Sequence, residues 1–306
     1  MKRETIEFFK IYESLRIPYF GGIWYKFMNK IDLKVFDKLS IPQNPLNTEK
    51  REETIICSLT SFPARIEYAH LTIKSLMLQT YKPDRIVLWL AEEQFPDKKL
   101  PQSLIGLEEY GLEIRWCEHN IYGHKKYFYA LQEQRENELV ITFDDDIMYS
   151  PRCIERLVKT HIENPDCMVC ERAQAVNKTL DKIHLPGRWD TISNIGVSKP
   201  SYSLCPSTGG GCLIPYKTFP KEAFNVENIK NLSLRSDDIW NMYMCAINHK
   251  RIIKTRKYHR IFTTVLSSQE TSLSYDNIIN RQDEVCMLKL KEAYPEAYER
   301  IMTDKD

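Results

Sequence analysis

The sequence contains no run of about 18 apolar residues, the length that a helix needs to cross a bilayer. Its first residues lack the apolar core of a secretory signal peptide. The chain also lacks an internal repeat, a low-complexity tract and any marked charge imbalance, since its formal net charge is +1 over 306 residues. These absences predict a globular protein without a membrane span, and they do not suggest nucleic acid as a partner.

Two further signatures are missing or incomplete. The nine cysteines are an odd number, and several lie inside apolar runs, which is typical of reduced thiols in a cytoplasmic protein. Cys167 and Cys170 have C-x-x-C spacing, but no second pair follows at the spacing of a zinc site. We therefore expect a cytoplasmic location and no zinc or redox centre at this pair.

The most informative stretch joins a strand to three acids. Residues 139–143 are apolar or β-branched and run directly into Asp144, Asp145 and Asp146. Three adjacent carboxylates repel one another at a strand end unless a cation lies among them. Hard oxygen ligands favour Mg²⁺ or Mn²⁺, and open α/β sheets bind ligands at the carboxyl ends of their strands. The stretch predicts a metal site, and a solvated acidic turn is the alternative.

Strands and helices alternate along the middle of the chain. The patterns predict strands at 54–59, 85–91, 112–116 and 139–143 and helices at 65–80 and 127–135. Such βαβ units predict an α/β fold with an open, mostly parallel sheet and helices on both faces. The irregular residues 176–205 suit a loop that faces a substrate.

The front of the chain is basic. Residues 1–50 hold nine Lys and Arg against six Asp and Glu, and Lys26, Lys30, Lys34 and Lys38 recur at four-residue steps beside an apolar stripe. We predict amphipathic helices there that pack on the main domain. Peripheral contact with the inner membrane surface is the alternative.

A glycine-rich loop is predicted at residues 206–215, which hold Gly209, Gly210 and Gly211. Such a run lets the backbone approach a ligand closely, and a flexible turn is the alternative. The loop has neither the P-loop spacing nor G-x-G-x-x-G, so a mononucleotide-binding fold of either type is not supported.

Two acids, Asp237 and Asp238, begin an apolar helix. Capping of the helix explains one acid, which leaves a second carboxylate to act as a base in a cleft. A lone His259 is more often structural, but its imidazole could complete the coordination sphere that the triplet begins.

The order of these parts resembles the nucleotide-sugar-dependent glycosyltransferases of the GT-A fold, especially the bacterial family 2-like members that build cell-surface polysaccharide. The resemblance spans roughly residues 53–261. It is carried by T-S-F-P-A-R at 60–65, S-L-x-x-Q-T-Y-x-P at 75–83, H-K-K-Y at 124–127, the acidic triplet and the acidic pair. It implies a GT-A domain at 51–270. The residue pattern predicts an N-terminal helical segment at 1–50 and a helical tail at 271–306 that is broken at Pro295.

The resemblance also implies an activity. We expect an inverting, metal-dependent hexosyltransferase that takes a sugar from a nucleotide-diphosphate donor, with a UDP-sugar as the expected donor and a glycan or lipid-linked acceptor. The Q-x-x-R-W signature of processive members is absent, which argues for a non-processive enzyme.

The family's motifs assign roles to single residues. Asp144 and Asp146 are the implied ligands of Mn²⁺ or Mg²⁺, and Asp145 is placed near the ribose. His259 is a further candidate ligand that the residues alone suggest. Asp238 is the implied catalytic base, with Asp237 as the substitute. The remaining implied donor-binding residues are Thr60, Arg65, Glu92, Lys125, Lys126, Gly209 and Gly210. Glu92 matches only loosely the acid that the family places after its second strand.

Two other classes of protein stay open. A metal-dependent phosphohydrolase also uses D-x-D at a strand end, but near the start of its fold and with Thr or Val where this chain has Met148. A non-catalytic carbohydrate- or metal-binding module is the third possibility, although the D-x-D-x-D-G calcium loop is broken at the same methionine.

Overall fold

The structure is a computed structural model that describes residues 29, 31, 33–179, 183–184, 186, 190–191, 199–255, 263–265 and 282–304. The predicted ligand His259 and the predicted surface residues Lys26 and Lys30 lie outside this part of the chain. Within it, no helix combines the length and the apolar character that crossing a membrane requires.

Twelve strands are found in the described residues. In chain order they are β1 (Thr54–Thr60), β2 (Arg85–Ala91), β3 (Leu112–Cys117), β4 (Glu138–Phe143), β5 (Ile147–Met148), β6 (Met168–Cys170), β7 (Ala173–Ala175), β8 (Asp190–Thr191), β9 (Leu204–Pro206), β10 (Cys212–Ile214), β11 (Ile252–Lys254) and β12 (Thr263–Thr264). Seven of them form one sheet in the order β11-β6-β10-β4-β1-β2-β3, in which only β10 runs antiparallel to its neighbours. The predicted open, mostly parallel α/β sheet is confirmed.

The helices in the same part of the chain surround this sheet. They are α1 (Ile66–Met77), α2 (Gln102–Ile105), α3 (Lys125–Glu133), α4 (Cys153–Glu163), α5 (Val226–Asn228), α6 (Asp237–Ile247), α7 (Gln282–Ala293) and α8 (Pro295–Thr303). The break between α7 and α8 falls at Pro295, as predicted, because proline suits the first turn of a helix and not its interior.

Both faces of the sheet are covered. Successive residues of a strand point to opposite faces, so Ile55 packs in one core cluster with Ile73 of α1, while Ile56 packs in another with Ala130 of α3. Strands that are buried on both sides must be apolar along their length, which explains the continuous Ile, Val and Leu content of β1, β2 and β4.

The sheet order places a ligand crevice next to β1. From β1 the chain runs outward through β2 to β3, and it returns to pair β4 on the other side of β1. The carboxyl ends of β1 and β4 therefore flank a topological switch point, where open α/β sheets bind ligands. Residues 60–65 and the acidic triplet follow these two strands.

The S-L-x-x-Q-T-Y-x-P segment fixes the chain that follows the triplet. The amide nitrogen of Gln79 donates to the Ser150 carbonyl at 2.8 Å, and its oxygen accepts from the Ile154 amide at 3.1 Å. The Ser75 hydroxyl accepts from the Tyr149 amide at 3.0 Å. These hydrogen bonds hold the backbone that follows the acidic triplet. Residues 75–83 themselves do not line the cleft around the triplet.

The described part of the N-terminal helix packs on the domain. Phe36 is 3% exposed and lies in a small cluster with Leu71 and Leu78, while Lys34 and Lys38 are exposed. This contact supports packing for residues 33–38. Contact with a membrane surface stays a prediction.

Candidate active site

Arg65 neutralises two carboxylates of the triplet. Its Nη1 lies 3.2 Å from Asp145 Oδ1 and 3.0 Å from Asp146 Oδ2. The Ser61 hydroxyl also donates to Asp145 Oδ2 at 2.5 Å, so this buried carboxylate is already occupied by protein groups. Burial alone would lower the pKa of Arg65, but the nearby acids raise it, and Arg65 stays a cation.

Lys126 joins the triplet to the acidic pair. Its Nζ lies 2.8 Å from Asp144 Oδ1 and 2.9 Å from Asp237 Oδ2, and its side chain is only 3% exposed. Burial disfavours the charged amine, yet Asp144 and Asp237 outweigh it and raise the pKa of Lys126. One buried cation therefore bridges two acids that are far apart in the sequence.

The acidic pair occupies the first turn of α6, where the helix dipole favours negative charge. Thr208 binds both acids: its backbone amide donates to Asp238 Oδ1 at 2.8 Å, and its hydroxyl lies 2.6 Å from the same oxygen and 2.7 Å from Asp237 Oδ2. The hydroxyl has a single proton, so it donates to one acid at a time.

The two acids of the pair differ in their affinity for a proton. Burial and the adjacent charge of Asp237 raise the pKa of Asp238 to about 7. For Asp237, the effect of burial is outweighed mainly by Lys126, and its pKa falls to about 2. Near neutral pH, Asp237 is ionised and Asp238 exchanges a proton, which is the state that a general base requires.

The glycine-rich loop is held against the triplet. A Cβ on Gly209 would fall 1.7 Å from Asp144 Oδ2, so only glycine allows this approach. The Tyr149 hydroxyl donates to the Gly209 carbonyl and accepts from the Asp144 amide at 2.8 Å. Thr142 of β4 also donates to the Thr208 carbonyl at 3.0 Å. The loop is a fixed wall of the site.

Lys125 faces a different part of the cleft from Lys126, because consecutive helical residues point about 100° apart. Its Nζ donates to Gln94 Oε1 at 2.8 Å and lies 3.5 Å from the Ser61 carbonyl oxygen. Burial lowers the pKa of Lys125 to about 8. Glu92, two residues before Gln94, instead pairs with Lys98 at 2.7 Å on the protein surface.

His124 orders the turn that precedes the two lysines. Its Nε2 donates to the Ser233 carbonyl at 2.8 Å, and its Nδ1 accepts from the Tyr127 hydroxyl at 2.9 Å, because a carbonyl can only accept. Burial lowers the pKa of His124 to about 4, so the ring is neutral. The neighbouring Gly123 lies against Asp237, where a Cβ would be 2.9 Å from Oδ1.

These groups line a single cleft of about 680 Å³. The structure brings ten of the sequence-predicted residues into its wall: Thr60, Arg65, Lys125, Lys126, Asp144, Asp145, Asp146, Gly209, Asp237 and Asp238. It does not place Glu92 or Gly210 there; a Cβ on Gly210 would instead meet the side chain of Arg172.

Four residues that shape the site were not singled out from the sequence, namely Ser61, Gln94, Tyr149 and Thr208. Ser61 and Thr208 lie inside quoted motifs, so their hydroxyls could have been suspected as ligands of nearby acids. Gln94 and Tyr149 carry no local signal, because their roles depend on contacts across the fold.

Two carboxylates of the triplet, those of Asp144 and Asp146, could bind a divalent cation. No cluster of three His, Cys, Asp or Glu side chains suited to a metal occurs in the described ranges. Magnesium-type sites, however, commonly use one or two carboxylates together with substrate phosphates. Asp144, whose side chain is 40% exposed, and Asp146 lie at one strand end and can supply these two ligands.

The fold and the cleft define an α/β protein with a carboxylate-rich site at the switch point of its sheet. No family model and no curated protein matches the chain.

Three solved structures are similar to parts of the chain. S. aureus TarS 1-349 is 14% identical, with a TM-score of 0.39, over 68% of this chain and 59% of that chain. Glucosyl-3-phosphoglycerate synthase from Mycobacterium tuberculosis, solved with Mn²⁺, UDP and phosphoglyceric acid, is 12% identical, with a TM-score of 0.30, over 43% and 51%. The 4-diphosphocytidyl-2C-methyl-D-erythritol synthase from Anaerococcus prevotii is 11% identical, with a TM-score of 0.39, over 75% and 97%. This chain spans about three fifths of the TarS structure.

Proposed function

We propose that the protein transfers a sugar from a nucleotide-diphosphate sugar to a hydroxyl group of an acceptor. The observation that carries this proposal is the bridge made by Lys126, whose Nζ contacts Asp144 at 2.8 Å and Asp237 at 2.9 Å. Through this contact, the acids that follow β4 and the acids that begin α6 lie in the same cleft. A donor held with its diphosphate at the triplet would have its sugar near a carboxylate able to take a proton.

The reaction needs charge stabilisation at the leaving group. When the bond between the anomeric carbon and the diphosphate oxygen breaks, negative charge develops on the diphosphate. Lys126 and Arg65 are cations at this point, and both are held in place by acids. A Mn²⁺ or Mg²⁺ ion bound by Asp144 and Asp146 would supply Lewis-acid stabilisation of the same charge.

The reaction also needs a base. The acceptor oxygen forms the new bond to the anomeric carbon, and its proton passes to Asp238, whose pKa of about 7 suits proton uptake near neutral pH. Asp237 stays ionised beside it and keeps the pKa of Asp238 high. Attack from the side opposite the diphosphate inverts the configuration of the anomeric carbon.

Further details of the proposal come from the motif resemblance. We propose a hexosyltransferase that uses a UDP-sugar and is not processive, with a glycan or lipid-linked acceptor. A cytoplasmic enzyme that touches the inner membrane surface through its basic N-terminal segment would meet a lipid-linked acceptor there.

A thermal-shift screen tests the proposal. UDP-, GDP-, CMP- and dTDP-sugars are compared with and without Mn²⁺. A ligand at 100 times its dissociation constant adds about 2.7 kcal/mol to the free energy of unfolding, which gives a clear shift in Tm. We expect stabilisation by at least one of these donors, larger with Mn²⁺ and absent in Asp146→Asn. No stabilisation by any donor would contradict the proposal.

A further inference from the structure

Two arginines line the cleft on either side of the acid pair. Arg172 immediately precedes β7, and Arg235 immediately precedes Ser236, the N-cap residue of α6. Both side chains are partly buried. Neither takes part in the charge stabilisation proposed for the leaving group. The cleft therefore holds two further cations that the proposed reaction does not use.

The glycine-rich loop links Arg172 to the acid pair. A Cβ on Gly210 would lie 3.1 Å from Cβ of Arg172 and 3.2 Å from its Cγ and Cδ, so the glycine lets the arginine stem pack on the loop. The Arg172 carbonyl accepts from the Ser207 amide at 3.0 Å. The next residue, Thr208, donates its own amide to Asp238 Oδ1 at 2.8 Å. Two consecutive residues of the loop thus connect the arginine to the proposed base.

An aromatic ring holds Arg235 on the other side of the pair. Its Cζ lies over the ring of Tyr122, 5.4 Å from the ring centroid, which is a cation–π contact. The residue after this tyrosine, Gly123, packs against Asp237, as described above. A guanidinium that lies over a ring carries its five N–H donors around its edge. The contact therefore orients Arg235 beside Asp237 and leaves its donors to bind acceptors in the plane of the group.

Tyr122 has a backbone conformation that is unusual for its residue type. Its φ is +50°, in the left-handed region that costs free energy for residues other than glycine. Conformations of this kind cluster at binding and catalytic sites. The nearby contact of His124 with the Ser233 carbonyl, at 2.8 Å, ties this turn to the segment that carries Arg235. The ring and the guanidinium are thus positioned before any ligand binds.

The acids at this end of the cleft are engaged by other protein groups. Asp237 contacts Lys126 at 2.9 Å, and Thr208 binds both acids of the pair. The side chain of Ser236 hydrogen-bonds to Asp283, a further acid in the cleft wall. Arginine donors match the oxygens of phosphates and carboxylates, often in pairs of parallel hydrogen bonds. Two arginines beside the base therefore suit a ligand that is itself negatively charged.

We propose that Arg172 and Arg235 bind an anionic group, a phosphate or a carboxylate, that the acceptor carries close to its reacting hydroxyl. This inference rests on the proposed function, because the base Asp238 marks the place of the acceptor hydroxyl. The donor diphosphate occupies the triplet, on the other side of Lys126. The two arginines thus restrict the acceptor to molecules with a negative charge near the hydroxyl that is glycosylated.

The test measures the binding of small anions to the protein saturated with UDP and Mn²⁺, so that the donor phosphate site is filled. Sulfate represents a phosphate group and acetate a carboxylate. Each ion replaces chloride at constant ionic strength, and binding is followed by the rise in Tm. We expect saturable stabilisation by at least one of the two ions, and the ion that binds more tightly identifies the kind of group. The general stabilising effect of sulfate is common to all variants and cancels when they are compared.

Variants assign the binding to the two arginines. Arg172→Gln and Arg235→Gln should each weaken anion binding about tenfold or more, the effect of losing hydrogen bonds to a charged group, while the affinity for UDP stays unchanged. Arg152→Gln is the matched control, because Arg152 is an exposed arginine that does not line the cleft. Tyr122→Gly removes the ring and also relieves the positive φ, so it should weaken anion binding without lowering the Tm of the protein alone.

The outcomes separate this inference from the proposed function. No saturable binding of either ion, or binding that either arginine variant leaves unchanged, would overturn the inference and leave the proposed function standing. Weaker binding of UDP in both arginine variants would assign these residues to the donor and would also overturn it. If neither UDP nor another nucleoside diphosphate binds to the unmodified protein, the proposed function fails, and this inference fails with it.

Discussion

The proton affinity of Asp238 makes a quantitative prediction about pH. A general base works only when it is deprotonated, so activity is lost as the pH falls through the pKa of about 7. A group with this pKa is roughly one tenth ionised at pH 6 and roughly nine tenths ionised at pH 8, so kcat/KM should rise about tenfold between them.

Substitutions of two neighbours of Asp238 should shift the pH at which activity is half lost, and the two shifts should have opposite signs. The Thr208 hydroxyl lies 2.6 Å from Asp238 Oδ1 and lowers the pKa of this acid. Thr208→Val removes the hydroxyl, so the pH at which activity is half lost should rise. A hydrogen bond to a charged group is worth about 1.5–3 kcal/mol, which corresponds to about 1–2 pH units. Asp237→Asn removes the charge that raises the pKa of Asp238, so the pH at which activity is half lost should fall by about one unit or more.

The assay is the pH profile of kcat/KM for release of nucleoside diphosphate, because this parameter reports the ionisation of the free enzyme. Thr218→Val is the matched control: Thr218 is buried and its hydroxyl donates to the Pro215 carbonyl at 2.8 Å, away from the cleft. Its profile should match that of the unmodified protein. Shifts of the same sign in Thr208→Val and Asp237→Asn, or a profile that is flat from pH 6 to pH 8, would contradict the role of Asp238 as the base.

Three further predictions follow from the same contacts. Asp146→Asn should keep the fold but lose Mn²⁺-dependent donor binding and at least ~10²-fold of the activity, measured by calorimetry and turnover; full activity in EDTA would contradict it. Asp238→Asn should lower turnover ~10²- to 10⁴-fold with donor affinity nearly intact. The folded protein holds the Asp238 proton more tightly than the unfolded chain, so its stability falls as the pH rises from about 4 to 7. Asn carries no such proton, so Asp238→Asn should raise Tm, relative to the unmodified protein, more at pH 8 than at pH 5. Phe36→Ala should cost about 3 kcal/mol of unfolding free energy in denaturant titrations. Changing Lys34 and Lys38 to Gln should leave stability unchanged and weaken only the salt-dependent binding to anionic liposomes. A lysine double variant as unstable as Phe36→Ala would show that the lysines also hold the helix on the domain.

The elements that were predictable from the sequence are those with a local pattern. The apolar run before Asp144 identified β4, and the first-turn acids identified the start of α6 at Asp237. Both groups of acids could therefore be proposed as site residues before the fold was known. The parallel sheet followed from the alternation of strands and helices.

The electrostatic bridge could not be predicted in the same way. The triplet was expected to need a metal among its acids, but Arg65 and Lys126 already provide protein cations there. Lys126 is 18 residues from Asp144 and 111 from Asp237, so only the tertiary fold brings its Nζ to both. Gln94 also depends on tertiary structure, because the turn after β2 points its side chain into the cleft and that of Glu92 away from it.

Analysis of the reaction products by ³¹P NMR shows which bond of the donor the protein breaks. The protein is incubated with UDP-, GDP- and dTDP-sugars and Mn²⁺, with water as the acceptor of the sugar, and the phosphorus-containing products are identified over time. We predict that one donor is converted to its nucleoside diphosphate with the diphosphate intact, and that Asp238→Asn slows this conversion ~10²-fold or more. Formation of inorganic phosphate or nucleoside monophosphate, or equal rates for the variant and the unmodified protein, would contradict it.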